Sequence, residues 1–364
     1  MSTRRLKIDP NPDFSRIEKV LRRDGVPDRV PFWELFSQLQ NPVLRLLGKL
    51  DESGDDGLSP QEREAKVWKQ QIDYMCALGY DYIDVRPYGL EFPKKGERGK
   101  GMTPSGERSY ILADTHDIAT REDFETYPWP DMAAVDYSPF ERVGEFLPDG
   151  MKVICLGPGG VLENVMWLLG YEGISYLLFD DEPLVQDVFD AIGSRIVEAF
   201  DKVAAYDVVG AMTLGDDMGF KTQTMLSPDM LRKYLFPWHK RIVDAAHAHG
   251  KPAILHACGN LSEVMQDIVD CGWDGRHSYE DVIEPIWEVK EKWGDQIAVL
   301  GGFDMDKLSR MSVDEVRQHT RFLIEKCAPG GGWALGSGNS VADYVPVENL
   351  LAMLEEGYRS GAYA

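Results

Sequence analysis

Short apolar runs rich in β-branched residues recur along this chain, and longer amphipathic segments separate them. That alternation constrains the fold more than any other feature, because a buried run followed by a helix-length amphipathic stretch is the pattern of βα units around a parallel sheet. Eight such runs are legible, at residues 30–36, 80–85, 152–156, 208–214, 252–256, 273–277, 297–301 and 332–335. Amphipathic segments at 61–78, 182–205, 227–249 and 346–358 predict helices between and after them. Ser227 and Gly250 are placed to cap the third of these helices. The expectation is an α/β protein, a single (β/α)8 TIM-like barrel over residues 1–364. A βα-loop insertion is expected at about 89–150, with a hairpin around 108–114. The length of 364 residues suits one barrel, since such barrels run past ~250 residues as one domain.

Charge narrows the partners. With 61 acidic against 39 basic residues the formal net charge is −22, which argues against a surface that tracks phosphates, so no nucleic acid partner is expected. No stretch of ~20 apolar residues is present, and the basic start, Arg4-Arg5-Leu6-Lys7, runs into polar sequence without an apolar signal core. Five cysteines, an odd number with no Cys-x-x-Cys pair, read as reduced thiols, and together these features predict a cytoplasmic protein without membrane association.

In a barrel of this class the site lies at the carboxyl ends of the strands. The polar residues just past each run are therefore the candidates: Trp33 and Glu34; Asp84 and Arg86; Asp216 and Asp217; His256 and Cys258; His277, Tyr279 and Glu280; Asp304; and Asn339. His256-Ala257-Cys258 is the most pointed of these. Alternate side chains of a strand face the same way, so the imidazole and the thiol, two good zinc donors, project together. A buried thiol and a satisfied core histidine are the plain alternative. Adjacent Asp216 and Asp217 point to opposite sides, so at most one of them faces the pocket and the other is free to cap the next segment. The Gly157-Pro158-Gly159-Gly160 turn would let a phosphate or a substrate approach the backbone.

Several segments together resemble the uroporphyrinogen decarboxylase superfamily: Arg29-Val30-Pro31-Phe32-Trp33, Gly215-Asp216-Asp217-Met218-Gly219, Ser227-Pro228-Asp229-Met230, His256-Ala257-Cys258-Gly259-Asn260, Leu300-Gly301-Gly302-Phe303-Asp304 and Pro346-Val347-Glu348-Asn349. The resemblance covers nearly the whole chain. It implies a TIM-like barrel and one of two chemistries: cofactor-free tetrapyrrole decarboxylation, or zinc-dependent methyl transfer involving corrinoid proteins or thiols. The decarboxylases carry two substrate-binding arginines after the opening motif, where this chain has Glu34-Leu35-Phe36-Ser37-Gln38. Their strand-end aspartate falls on Arg86-Pro87 and their late histidine on Asn339. The chain is thus more similar to the methyltransferase-like branch, whose zinc-binding His-x-Cys matches His256 and Cys258. That branch's third ligand, a late cysteine, falls on Asn339, so either a carboxylate such as Glu34, Asp217 or Glu280 completes the set or the site has lost zinc.

What the resemblance implies is a methyltransferase or demethylase that moves a methyl group between a small methylated substrate and a corrinoid protein or thiol. Zinc would be bound by His256 and Cys258, and the corrinoid supplied by a partner protein. Asp217 or Glu34 would act as base or ligand, while Trp33, Arg86, Asp216, His277, Tyr279, Glu280 and Asn339 would contact substrate. A single cysteine ligand would leave less negative charge on the metal, favouring demethylation. Two other readings stay open: a metal-free decarboxylase of a porphyrinogen or smaller acid with Arg86 as carboxylate partner, and a non-catalytic small-molecule-binding barrel. A homodimer is a further expectation from the family.

Overall fold

The computed structural model describes residues 4–94, 98–103, 106–111 and 116–363. Among the described residues nine strands occur in chain order: β1 (Tyr82–Val85), β2 (Arg98–Thr103), β3 (Gly106–Ile111), β4 (Lys152–Leu156), β5 (Val209–Gly215), β6 (Ala253–His256), β7 (Gly275–His277), β8 (Ala298–Leu300) and β9 (Trp333–Ala334). β2 and β3 form an antiparallel hairpin, and the expected hairpin lay close to it, although residues 112–114 fall outside the described residues. The other seven make one curled parallel sheet in which each strand pairs with its sequence neighbour. Parallel strands buried on both faces are expected to be apolar throughout, and Ile83, Val153, Ile154, Ala211, Met212, Leu214, Ile254, Leu255 and Val299 are all fully buried. Helices such as Pro60–Ala77 and Glu182–Ala204 bury one face against that sheet, while Val347–Ser360 is buried on all sides from Asn349 to Gly357.

The expected first strand, 30–36, is not a strand. Residues 31–33 touch β9 by one parallel bridge, with Trp33 N–H donating to Leu335 O (2.8 Å) and Leu335 N–H donating to Pro31 O (2.9 Å). Toward β1, side chains take the place of a ladder: Phe32 packs edge-on to Tyr80, Trp33 stacks on Tyr82, and Tyr82 Oη donates to Glu34 O at 2.7 Å. Pro31 has no N–H to give to a ladder. Below them Asp81, fully buried, receives Arg16 (2.9 Å) and Arg29 (3.2 Å). This ion cluster ties the first segment to the start of β1.

The expected helix 227–249 is also interrupted. Its middle widens into a π-helical turn, Leu231–Leu235, before the helix resumes as Phe236–Ala248. Pro237 explains the break, because it lacks the N–H that would continue the ladder and its ring crowds the preceding turn.

Asp81 faces two buried guanidinium groups, so its loss strands both charges. Asp81→Ala is expected to lower the unfolding free energy by about 3–5 kcal/mol in urea titration. Asp28→Ala, which removes the solvent-exposed partner of Arg16, should cost under about 1 kcal/mol; equal costs would contradict the view that Asp81 anchors the segment.

Candidate metal centre

The site begins with register. β5 and β6 pair in parallel with Gly215 opposite His256, so two residues further on Asp217 comes opposite Cys258. The Cys258 N–H donates to Asp217 Oδ1 at 2.8 Å, which locks the two strand ends together. His256 Nε2 lies 3.5 Å from Cys258 Sγ and 3.8 Å from Asp217 Oδ1. One imidazole nitrogen, one sulfur and one carboxylate oxygen thus sit within 4.8 Å of one another. They open into a cleft of about 740 Å³ that Arg86, Phe92, Glu163, Trp167 and Asn339 also line.

Burial sets the protonation of the donors. His256 is pushed down to about 4 by burial and the nearby Arg276, so its ring is neutral. Burial and the Asp217 charge push the Cys258 thiol up to about 12, while Ser278 and Asn339 oppose that shift. Both donate toward the sulfur, Ser278 Oγ at 3.5 Å and Asn339 Nδ2 at 3.2 Å. Asn339 therefore meets Cys258 as a hydrogen-bond donor, and the carboxylate that joins the histidine and cysteine is Asp217 rather than Glu34 or Glu280.

The structure divides the remaining candidates. Arg86 reaches the same cleft. Glu280 lines a neighbouring cleft of about 670 Å³ with Asp304 and Lys307. Asp216 turns away, as the alternation of adjacent residues requires, and is sealed: its carboxylate accepts the N–H groups of Val161, Leu162 and Glu163 and meets His239 Nε2 at 2.8 Å. It caps the helix Val161–Leu169, and a side chain at Gly160 would collide with it, since a Cβ there would lie 2.0 Å from Asp216 Cγ. The helix N-terminus that the glycine turn would have offered to a phosphate is thus filled by a carboxylate from another strand, and Asp216 has no face left for substrate. Trp33, His277 and Tyr279 are buried behind the cleft: Trp33 against Tyr82, His277 against His256, and Tyr279 with its hydroxyl donating to Arg276 O.

Glu34 also lies behind the cleft. Its carboxyl meets Ser337, whose N–H donates to Oε2 at 3.3 Å and whose hydroxyl contacts Oε1. Burial drives it up to about 8 against those bonds. A residue that sequence reasoning missed stands nearer the metal donors. Glu163 accepts the Asp217 and Gly160 N–H groups, and burial with Asp216 and Asp217 pushes it up to about 8. Its signal was available as a glutamate three residues after a helix-starting glycine.

The fold and the site define a parallel α/β barrel-like protein with a His/Cys/Asp cluster at the carboxyl ends of its strands. The chain belongs to the uroporphyrinogen decarboxylase (URO-D) family, whose model matches residues 153–359. Two relatives are named methylcobamide:CoM methyltransferase MtaA, one from Methanosarcina barkeri, 27% identical, and one from its Fusaro strain, 25% identical. Each match covers 131 residues, 36% of this chain and 36% of the relative, so it spans about a third of their length. A solved methyltransferase from Methanosarcina mazei shares the fold with a TM-score of 0.67 at 16% identity, over 94% of this chain and 97% of that one. Within the family, these similarities lie with the methyltransferase-like branch.

Because the folded protein holds Glu34 protonated well above the ordinary carboxyl range, the unfolded chain gives up that proton first as pH rises. Between about pH 4.5 and 8 the native state binds one more proton at this residue than the unfolded state, so its contribution to stability falls as pH rises. The slope is at most about 1.4 kcal/mol per pH unit. Urea unfolding from pH 5 to 8 should lose stability less steeply in Glu34→Gln than in the parent, and parallel curves would refute the assignment.

Proposed function

We propose that this protein is a metal-dependent methyltransferase that moves a methyl group between a small methylated substrate and a corrinoid protein or thiol. The observation that carries the reading is the convergence of Asp217, His256 and Cys258 on one point of an open cleft. Three donors with room for a substrate beside them are what a catalytic zinc site needs. The donor chemistry fits: His256 is neutral, so a ring nitrogen carries a lone pair, and two hydrogen bonds stand ready to stabilise a Cys258 thiolate. Asp217, His256 and Cys258 would hold the ion, which when bound supplies a Lewis acid for a substrate sulfur, oxygen or nitrogen.

The protein's own residues do the rest. Asn339 and Ser278 orient the sulfur and stabilise its charge. Arg86, which makes no hydrogen bond or ion pair among the described residues, is a cation available to an acidic group on the substrate. Glu163 can hold a proton beside Asp217. A corrinoid partner would approach over the mouth, where Phe36, Phe220, Val282 and Tyr344 expose apolar surface. The expectation that this centre carries less ligand charge than a two-cysteine site changes once Asp217 joins the set. One thiolate and one carboxylate carry the same formal charge as two thiolates, and the difference is a harder oxygen donor in place of a soft sulfur. Hardness, rather than charge, is then the feature that suits oxygen- or nitrogen-bound methyl groups.

Elemental mass spectrometry on protein purified without a metal-binding tag should find about one zinc or similar divalent ion per chain, lost in Asp217→Ala, His256→Ala and Cys258→Ala but kept in Asn339→Ala. The same preparations should move methyl groups between methylcobalamin and a thiol only when metal is present. Metal-free wild-type protein that still turns over a carboxylic acid would replace this reading with decarboxylation, in which Arg86 would be the substrate's partner.

A further inference from the structure

We infer that His277, held by Ser337 and Glu34, is a positioning residue that fixes the tautomer of His256 and so aims a ring lone pair at Asp217 and Cys258. The inference bears on metal binding through the function proposed above, but the tautomer itself follows from two contacts in the buried interior. His277 Nε2 lies 3.0 Å from the Ser337 carbonyl oxygen. A carbonyl only accepts, so this nitrogen carries a hydrogen. The other nitrogen of the ring, Nδ1, faces His256 Nδ1 at 2.8 Å. Two protonated nitrogens cannot face each other at that distance, and two bare ones would repel, so one hydrogen lies between them.

Which ring owns it is decided by charge. A hydrogen on His277 Nδ1 would make that ring a cation, since Nε2 is already protonated. His277 is fully buried and, among the described residues, has no carboxylate in contact, while the cationic Arg276 precedes it in the chain. A buried cation without a partner is costly. The hydrogen therefore belongs to His256 Nδ1, and His277 accepts it. His256 is left with a bare Nε2, the atom 3.5 Å from Cys258 Sγ and 3.8 Å from Asp217 Oδ1. The imidazole is set as a ligand before any ion arrives.

The rest of the chain of contacts holds His277 in place. Its ring edge meets Trp33, and Gly301 lies so close that a Cβ there would be 2.8 Å from His277 Cδ2 and 2.2 Å from Ser337 O. Gly301 adopts a positive φ of 78°, which suits glycine. Ser337 is pinned in turn by Glu34, through its N–H and its hydroxyl. Glu34, Ser337, His277 and His256 form one relay from the first segment of the chain to the mouth of the site. Partners of this kind behind a metal-binding histidine are commonly worth 10–100-fold in metal affinity.

Long-range proton–nitrogen NMR on metal-free protein with ¹⁵N-labelled histidine tests the assignment directly, with signals assigned by His256→Gln and His277→Asn variants. The expected spectrum at pH 7 has His256 protonated on Nδ1 and bare on Nε2, and His277 protonated on Nε2 and bare on Nδ1; His256 protonated on Nε2 would overturn the inference. Zinc affinity, measured against a chromophoric chelator, should fall 10–100-fold in His277→Leu, while His277→Asn, whose carbonyl can still accept from His256, stays within a few-fold of wild type. A folded His277→Leu protein that binds zinc as tightly as wild type would also overturn it. If wild-type protein binds no zinc, the functional reading fails, and the spectrum still decides the tautomer.

Discussion

The alignment of β5 with β6 is the constraint on which the site depends. With Gly215 opposite His256, Asp217 falls beside Cys258, and the hydrogen bond from the Cys258 N–H to Asp217 Oδ1 joins them. A slip of one residue would turn Asp217 outward and bring Asp216 to the mouth. Asp216 prevents that slip, because its carboxylate is committed to three N–H groups of the helix Val161–Leu169 and to His239. Two neighbouring aspartates therefore do opposite work: the buried one anchors the register, and the half-buried one joins the donor cluster.

Behind the donors, interactions among residues far apart in sequence replace what a complete eighth strand would supply. The first segment of the chain reaches β9 by backbone and β1 by aromatic side chains. Glu34 sits at the end of that segment and grips Ser337, which follows β9. The same contact that fastens the first segment to the last strand also holds the carbonyl on which His277 rests. Closing the sheet and orienting the imidazole are thus one event, and a loose fit at this seam would reach the donor atoms.

Much of this was legible in the sequence, for physical reasons. Seven of the eight apolar runs became strands, because their central stretches, such as 153–156 and 252–255, have no charged side chain to present to water on either face. The run at 30–36 has the same apolar character, but Pro31 and the bulky rings of Phe32 and Trp33 spoil the ladder, and hydrophobicity does not report that. His256 and Cys258 were legible because a strand's alternation is local. Asp217 was one of three strand-end carboxylates offered to complete the ligand set, and choosing it required the β5–β6 register, which no local pattern contains. Asp216, Glu34 and His277 were read as substrate-facing or catalytic because they are polar residues at strand ends. Each instead satisfies a buried partner from a distant segment, and burial of that kind is visible only in three dimensions.

The electrostatics of the cluster would suit a cation. Burial and then Asp217 raise the pKa of Cys258, and burial with Asp216 and Asp217 raises that of Glu163, so negative charge is crowded at one end of the cleft in a chain that is already strongly acidic. Without a cation the thiol keeps its proton. With one, the order would reverse, since a thiol that coordinates a cation loses its proton to solvent, and the hydrogen bonds from Ser278 and Asn339 would then meet a thiolate and strengthen. The imidazole needs no such change if His277 has already set its tautomer. Assembly of the centre would then release a proton from the sulfur alone, which makes the thiol, and not the histidine, the ligand whose protonation limits metal binding.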